Sequence, residues 1–284
     1  MTTATSSLKQ LVDTGLPGLS RSYRRLRDFL YFKSLRPYRT TFGFSLYGDR
    51  DLDVSRTEQH EVEIFLNLLK RSEVVVDIGA NVGFFTCLAA QQGKRVLAFE
   101  PHPYNVQNLC RNLLMNDLHN VELFPIALSN AAGIAALFGG GQGATLIPGW
   151  CGIRSNYRSL TALNTLDNVL AGRFEDRQIL IKMDVEGNEF RLLEQAGSVL
   201  AREPAPFWIV EHGLLENFGG QTNPHFEALF QLFWSHGYEA RTVDAEQRVV
   251  LPADVRRWID NRQRDFGAIN YFFTRPPQTP CPTP

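Results

Sequence analysis

The sequence predicts an α/β fold: a doubly wound, mostly parallel seven-stranded sheet with helices on both faces, Rossmann-like in outline. Three observations point there. Short β-branched runs alternate with helix-periodic segments along most of the chain, which is the pattern of βαβ units. A glycine turn, Gly79-Ala80-Asn81-Val82-Gly83, follows the first such run and opens a helix, and an acid, Glu100, closes the second run. Ligands in such sheets bind at the carboxyl ends of strands near the point where the strand order reverses, so residues that end strands are the functional candidates.

The elements follow in order. In residues 57–70, Val62, Phe65, Leu66 and Leu69 fall at helical spacing. Val74–Ile78 is a β-branched run of the kind buried on both faces. Residues 84–92 read as a helix stopped by Gly93, and Arg95–Phe99 as the second strand. Pro103–Met115 is a helix with proline in its first turn. Residues 121–127 form a third strand, placed at an edge because Pro125 has no N–H to donate. Residues 178–184 and Phe207–Glu211 are the fourth and fifth strands, with a helix over 188–200 between them. Asn223 caps a helix with Pro224 in its first turn, ended by Gly237. Residues 238–243 and Asn270–Thr274 complete the seven. The stretch 138–157 breaks the rhythm with glycines at 139–141 and 143 and a Pro148-Gly149 turn. It reads as an inserted loop or hairpin near the site, either a mobile lid or a plain surface loop. No Gly-Lys-Ser/Thr follows it, which argues against a nucleoside-triphosphate loop.

The 284 residues, 44% apolar and 21% charged, suffice for one large core with an appendage. The expected division is a basic helical segment over 1–40, the main domain over 41–275 and a proline-rich, disordered tail over 276–284. Arg21, Arg24, Arg25, Arg27, Lys33, Arg36 and Arg39 face the lone acid Asp28, with Leu26, Phe29, Leu30 and Phe32 interleaved. Such a segment packs its apolar side on the core, or contacts a membrane surface or partner. A net charge of −1 argues against a nucleic-acid partner. Cys87, Cys110, Cys151 and Cys281 show neither metal-ligand spacing nor a disulfide framework. With no signal peptide and no bilayer-length apolar run, a cytoplasmic protein with reduced thiols is expected.

Gly79 and Gly83 let the backbone approach a ligand, and the helix that follows offers unpaired N–H groups. Dinucleotide binding needs a glycine where Asn81 stands. Asp77, before the turn, can meet a ligand ammonium, and Glu100 can accept from both hydroxyls of a ribose. Asp77, Gly79, Ala80, Asn81, Gly83 and Glu100 therefore favour an amino-acid nucleoside over a pyrophosphate. Asn105 helps shape the ribose and adenine side. Ile126 and Ala127 offer an apolar wall for adenine, with plain core packing as the alternative.

The segment Val76-Asp77-Ile78-Gly79-Ala80-Asn81-Val82-Gly83-Phe84-Phe85-Thr86 resembles motif I of class I methyltransferases, specifically of the FkbM family. Phe99-Glu100-Pro101 with Asn105 is similar to the family's acidic loop, and Thr165-Leu166-Asp167 to its motif before the fourth strand. Ile181-Lys182-Met183-Asp184-Val185-Glu186-Gly187-Asn188-Glu189 resembles its signature, Met183 and Asn188 being mild departures. The resemblance spans roughly residues 62–243. It implies methyl transfer from S-adenosylmethionine, usually to a hydroxyl, with sugars of bacterial glycans and polyketide-type natural products as family acceptors. It does not select among these small-molecule and glycan acceptors.

A hydroxyl is a weak nucleophile, so a base or a metal is expected. Lys182, Asp184 and Glu186 alternate along an extended run and so face one side. Burying them without a purpose is costly, although Lys182 can instead form an internal ion pair. Glu211 and His212 end the fifth strand; His212 is either the general base or a strand-end histidine bonded to backbone. Asp184 and Glu186 can alternatively hold a divalent ion. Three other classes compete. A nucleic-acid methyltransferase lacks the Asn/Asp-Pro-Pro-aromatic tetrapeptide here, a dehydrogenase lacks its glycine, and a non-catalytic binding protein would recruit a partner through the basic segment.

Overall fold

The computed structural model describes residues 26, 29, 30, 33–48, 54, 58–152 and 158–276. Residues 21–25, 27, 28, 31 and 32 of the expected basic helical segment, residues 153–157 of the glycine-rich insertion and the tail from residue 277 lie outside the described residues, and Arg36–Arg39 of that segment is strand rather than helix.

The chain first makes a hairpin of β1 (Arg36–Arg39) and β2 (Ser45–Gly48). Then come α1 (Gln59–Lys70), β3 (Val74–Ile78), α2 (Phe84–Gln91), β4 (Arg95–Phe99), α3 (Pro103–Met115) and β5 (Val121–Phe124). A small sheet follows, built from β6 (Ala127–Leu128), β7 (Gly133–Phe138) and β8 (Arg158–Asn164). The second half holds α4 (Leu166–Leu170), β9 (Ile179–Met183), α5 (Glu189–Leu193), α6 (Gly197–Leu200), β10 (Phe207–Glu211), α7 (Phe226–Ser235), β11 (Glu239–Thr242), β12 (Val249–Val250), α8 (Pro252–Asn261) and β13 (Asn270–Thr274).

The main sheet runs β12-β11-β13-β10-β9-β3-β4-β5. Pairing is parallel from β10 through β5, while β13 lies antiparallel between β10 and β11. Side chains alternate between two cores, as the two-residue period of a strand requires. Val74, Val76 and Ile78 join Leu166, Leu192, Phe230 and Trp258 on one face. Val75, Val96, Leu180 and Ile209 join Val62, Phe65, Leu69, Phe85 and Leu88 of α1 and α2 on the other. The strand order reverses at β3, with β4 and β5 to one side and β9 and β10 to the other, so the carboxyl end of β3 is the crevice where a ligand belongs.

Several elements differ from the sequence reading. The sheet has eight strands rather than seven, because the two-residue β12 is too short to leave a pattern. The expected strand 121–127 divides at Pro125: β5 stops at Phe124, and β6 turns away to pair with β8. β5 is the edge strand expected. The helix expected over 188–200 is two short ones. Asp167 starts the second by accepting the N–H groups of Ser198 and Val199, both at 3.0 Å. Asn223 accepts the His225 N–H at 2.9 Å in a turn leading into α7, so that helix begins later than its cap suggested.

The β1–β2 hairpin crosses the boundary expected at residue 40, and Asn112 of α3 with Asn116 just past its end fasten it to the main domain. Asn112 accepts the Tyr47 N–H at 2.5 Å and donates to the carbonyls of Tyr47 at 3.3 Å and Val82 at 2.7 Å. Asn116 accepts the Ser45 N–H at 2.8 Å and donates to its carbonyl at 2.7 Å. These side chains serve β2 as a neighbouring strand would, and the buried Asn112 ties it to the glycine turn. Among the described residues no helix is long and apolar enough to cross a membrane.

Candidate active site

A cavity of about 370 Å³ opens at the carboxyl ends of β3, β4, β9 and β10, within the size range of small-molecule sites. Gly79, Asn81, Glu100, Asn105, Ile126, Ala127, Asp184, Glu186 and Glu211 all line it. Leu137 of β7 also lines it, with Gly141, Thr145 and Leu146 from the region expected to be a loop or lid. A second cavity of about 90 Å³ adjoins it, sharing Gly79, Asn81 and Asp184 and adding Asp77, Ala80 and Lys182.

The two glycines of the turn do different work. Gly79 has φ +82°, and a Cβ there would lie 1.7 Å from the Asp184 carbonyl oxygen. The ends of β3 and β9 are stitched by the Asp184 N–H donating to the Ile78 carbonyl at 3.0 Å, so only glycine fits between them. Gly83 lines neither cavity. A Cβ there would lie 2.0 Å from Leu109 Cδ1, so Gly83 serves the packing of α2 on α3 rather than the ligand contact expected from sequence.

Glu100 is the hub of the larger cavity. Its Oε2 accepts the Asn81 N–H at 2.8 Å, and its Oε1 accepts the His102 N–H at 2.8 Å and Asn105 Nδ2 at 3.2 Å. Burial nevertheless pushes its carboxyl up to about 7. The side-chain oxygens of Asn81 and Asn105 are buried without a partner. Buried acceptors of this kind call for a donor, and hydroxyls or an amine of a nucleoside would supply one.

Asp77 and Lys182 are register neighbours on β3 and β9, on the face covered by α1 and α2. Thr86 Oγ1 donates to Asp77 at 2.5 Å, and burial raises the Asp77 carboxyl to about 6. Lys182 Nζ lies 3.0 Å from Glu61 Oε1 and 3.7 Å from Asp184 Oδ2. Lys182 is thus in the internal ion pair that sequence reading held as the alternative to a catalytic role. Burial opposes its charge, but Glu61, Asp184 and Glu211 outweigh that and hold its proton more tightly than in a free lysine.

The expected alternation of Lys182, Asp184 and Glu186 on one extended face ends at Met183. Glu186 has a left-handed backbone, φ +53°, and reaches the cavity from a turn. Its Oε2 accepts the Trp150 Nε1–H at 2.8 Å, and its carbonyl accepts the Thr145 hydroxyl at 2.7 Å. Burial and the nearby Asp184 push its carboxyl up to about 7, against the pull of Trp150. Burial likewise raises Asp184, opposed by Lys182, and raises Glu211, where Asp184 adds to the effect. Asn188 and Glu189 build the turn itself. Asn188 donates to Leu128 O at 3.2 Å, and Glu189 accepts the Gly187 N–H at 2.9 Å.

His212 is not brought to the site. It lies buried against Phe226, rings 5.3 Å apart and nearly parallel, and lines neither cavity. Burial pushes its imidazole down to about 4, so it is neutral near pH 7. The residue after β10 thus enters the aromatic core, away from the cavities where a base would meet an acceptor. Among the described residues no three His, Cys, Asp or Glu side chains gather as a metal-binding group. Sequence reading missed Tyr38, Glu58, Thr145 and Trp150, all of which line a cavity or touch Glu186. A tryptophan isolated among glycines was the one available signal; Glu58 sits one residue before a helix and carried none.

Comparison with solved structures returns several methyltransferases. The FkbM methyltransferase of Methylobacillus flagellatus KT is 18% identical, with 72% of this chain and 44% of that chain covered and a TM-score of 0.43. The bifunctional kinase-methyltransferase WbdD is 15% identical, covering 87% and 46%, with a TM-score of 0.45. The tRNA (uracil-54, C5)-methyltransferase of Pyrococcus abyssi, in complex with S-adenosyl-L-homocysteine, is 12% identical, covering 63% and 35%, with a TM-score of 0.37. The matches thus span less than half the length of these three proteins. No curated protein matches the chain. The methyltransferase FkbM domain model matches residues 77–240, from the acid before the glycine turn to β11. That stretch is more than half of the chain and contains all four strand ends around the larger cavity, and by it the chain belongs to the FkbM methyltransferase family.

Proposed function

We propose that the protein is an S-adenosylmethionine-dependent O-methyltransferase acting on a hydroxyl of a sugar, a glycan or a glycosylated natural product. One observation carries the reading: Asp184, Glu186 and Glu211 converge beside a cavity anchored by Glu100 and its two asparagines. When bound, S-adenosylmethionine supplies a methyl group on a positively charged sulfur. The residues present suit that charge. Asp77, Glu100, Asp184, Glu186 and Glu211 surround the two cavities, and the one buried lysine among them is held by Glu61. Such an excess of acids favours a cationic ligand.

Glu100 accepts hydroxyl donors of the nucleoside, Ile126 and Ala127 give the base an apolar wall, and Gly79 lets the ligand pass close to the backbone. Asp184 takes the acceptor proton onto its carboxylate. A carboxyl raised from its ordinary value is a better base near neutrality, and burial, aided by the nearby Glu61, raises Asp184 against the pull of Lys182. Holding the acceptor oxygen in line contributes the larger part of the barrier reduction, and Leu137, Thr145 and Leu146 exclude water while it is held. A cytoplasmic setting agrees with the free cysteines Cys87, Cys110 and Cys151.

The test is transfer of a labelled methyl group from S-adenosylmethionine to a panel of mono- and oligosaccharides. Labelled product that disappears in Asp184→Asn supports the reading. Transfer to a nitrogen or carbon acceptor alone, or full activity of Asp184→Asn, contradicts it.

A further inference from the structure

We propose that the N-terminal hairpin and Glu58 complete the cofactor site by closing a subsite for the amino-acid end of the ligand; this rests on the cofactor reading above. Tyr38, Leu46, Gly48, Val54 and Glu58 all line the smaller cavity, and all lie before residue 77, where the family match begins.

The position of the smaller cavity sets what enters it. It shares Val54, Glu58, Gly79, Asn81 and Asp184 with the larger one, so a ligand anchored at Glu100 reaches it past the glycine turn. At about 90 Å³ against about 370 Å³ it takes a small end group and leaves the nucleoside to its neighbour. Glu58, Asp77 and Asp184 line it, against Lys182, whose ammonium lies 3.0 Å from Glu61. Acids in excess there recognise an ammonium group. Tyr38 adds a phenol, able to meet either the ammonium or the carboxylate of an amino-acid end.

The hairpin is built into place. Asn112 of α3 and Asn116 just past its end hold β2 through four hydrogen bonds to the backbone of Ser45 and Tyr47, and Asn112 donates a further one to the Val82 carbonyl. Val82 belongs to the glycine turn, so one asparagine holds the hairpin and the turn against each other. At Gly48 even a methyl group would come within 3.4 Å of Val82 Cγ2. The family domain thus supplies the nucleoside side of the site and one wall of the smaller cavity, and the preceding residues supply the wall opposite.

The experiment is calorimetric titration with two probes, S-adenosyl-L-homocysteine and 5′-methylthioadenosine, which lacks the amino-acid end. The full chain binds the first more tightly. In Tyr38→Ala and in Glu58→Gln, affinity for S-adenosyl-L-homocysteine falls about tenfold, the scale of a charge-assisted hydrogen bond. Affinity for 5′-methylthioadenosine stays within about twofold, which also reports an intact fold. Glu58→Gln is an exposed, isosteric change and keeps the test open if Tyr38→Ala misfolds. Equal loss of both probes in Glu58→Gln, or unchanged affinity for both in the two variants, overturns the subsite while leaving the cofactor reading standing. Binding of neither probe to the unaltered chain overturns the cofactor reading and the subsite with it.

Discussion

The Lys182 ammonium sits between two carboxylates, 3.0 Å from Glu61 on α1 and 3.7 Å from Asp184 at the end of its own strand. Glu61 occupies the apolar face of its helix beside Val62, Ile64 and Phe65, where an acid needs a partner. The pair therefore joins α1 to the floor of the site. Lys182→Met would leave Glu61 buried and unpaired, at a cost of about 3–5 kcal/mol. Replacing both, Lys182→Met with Glu61→Leu, should recover most of that loss. Urea unfolding midpoints check this, and a double variant no more stable than the single would contradict it.

Buried acids make stability depend on pH in a definite direction. Burial raises Asp77 to about 6 and Glu100, Glu186 and Glu189 to about 7. Each binds its proton more tightly in the folded chain than in the unfolded one. The stability they contribute is full below their unfolded values and is lost as pH rises through the folded ones. His212, lowered to about 4, acts oppositely, but only below its ordinary value of 6.5. Between pH 6.5 and 8 the acids act alone, so the melting temperature of the ligand-free protein should fall. Glu100→Gln should make that fall shallower. A melting temperature that is flat or rises across this window would be the contrary result.

The site residues divide by what their loss should do. Glu100→Ala removes the acceptor that organises Asn81, His102 and Asn105, and should weaken cofactor affinity by about tenfold or more. Asp184→Asn should leave cofactor affinity within a few-fold and reduce turnover by about 10²–10⁴. Titration calorimetry and labelled-methyl transfer separate the two. Unchanged affinity in Glu100→Ala would remove Glu100 from the ribose.

Gly79→Ala should abolish cofactor binding. Left-handed backbone alone costs a residue with a Cβ about 1–3 kcal/mol, and here the Cβ also meets the Asp184 carbonyl. Denaturation curves and calorimetry of this variant check it, and retained binding would contradict the close approach.

Asn112→Ala should cost about 1–3 kcal/mol by leaving the Tyr47 and Val82 backbone groups without their partner. Hydrogen exchange should quicken at Ser45 and Tyr47 while β3 and β9 stay protected. Uniform loss of protection would mean the hairpin is no separate unit.

The main sheet was legible because buried strands and amphipathic helices each carry a period. The cofactor side was legible because Gly79, Asn81 and Glu100 stand at strand ends. What escaped depends on distant contacts or on brevity. β12 is two residues long, and the hairpin is held by asparagines 65 and 71 residues away in sequence. Glu186 was assigned the right cavity for the wrong reason, since a positive φ rather than strand alternation brings it there. His212 was misplaced because the sequence shows that a strand ends but not which core its next side chain enters.

The most direct test is titration of the purified protein with S-adenosylmethionine and, separately, with NAD. Saturable binding of S-adenosylmethionine, weakened in Glu100→Ala, with no heat from NAD, is the result expected of the acid-lined site at the ends of β3 and β4. Binding of NAD, or no binding of S-adenosylmethionine, would contradict it.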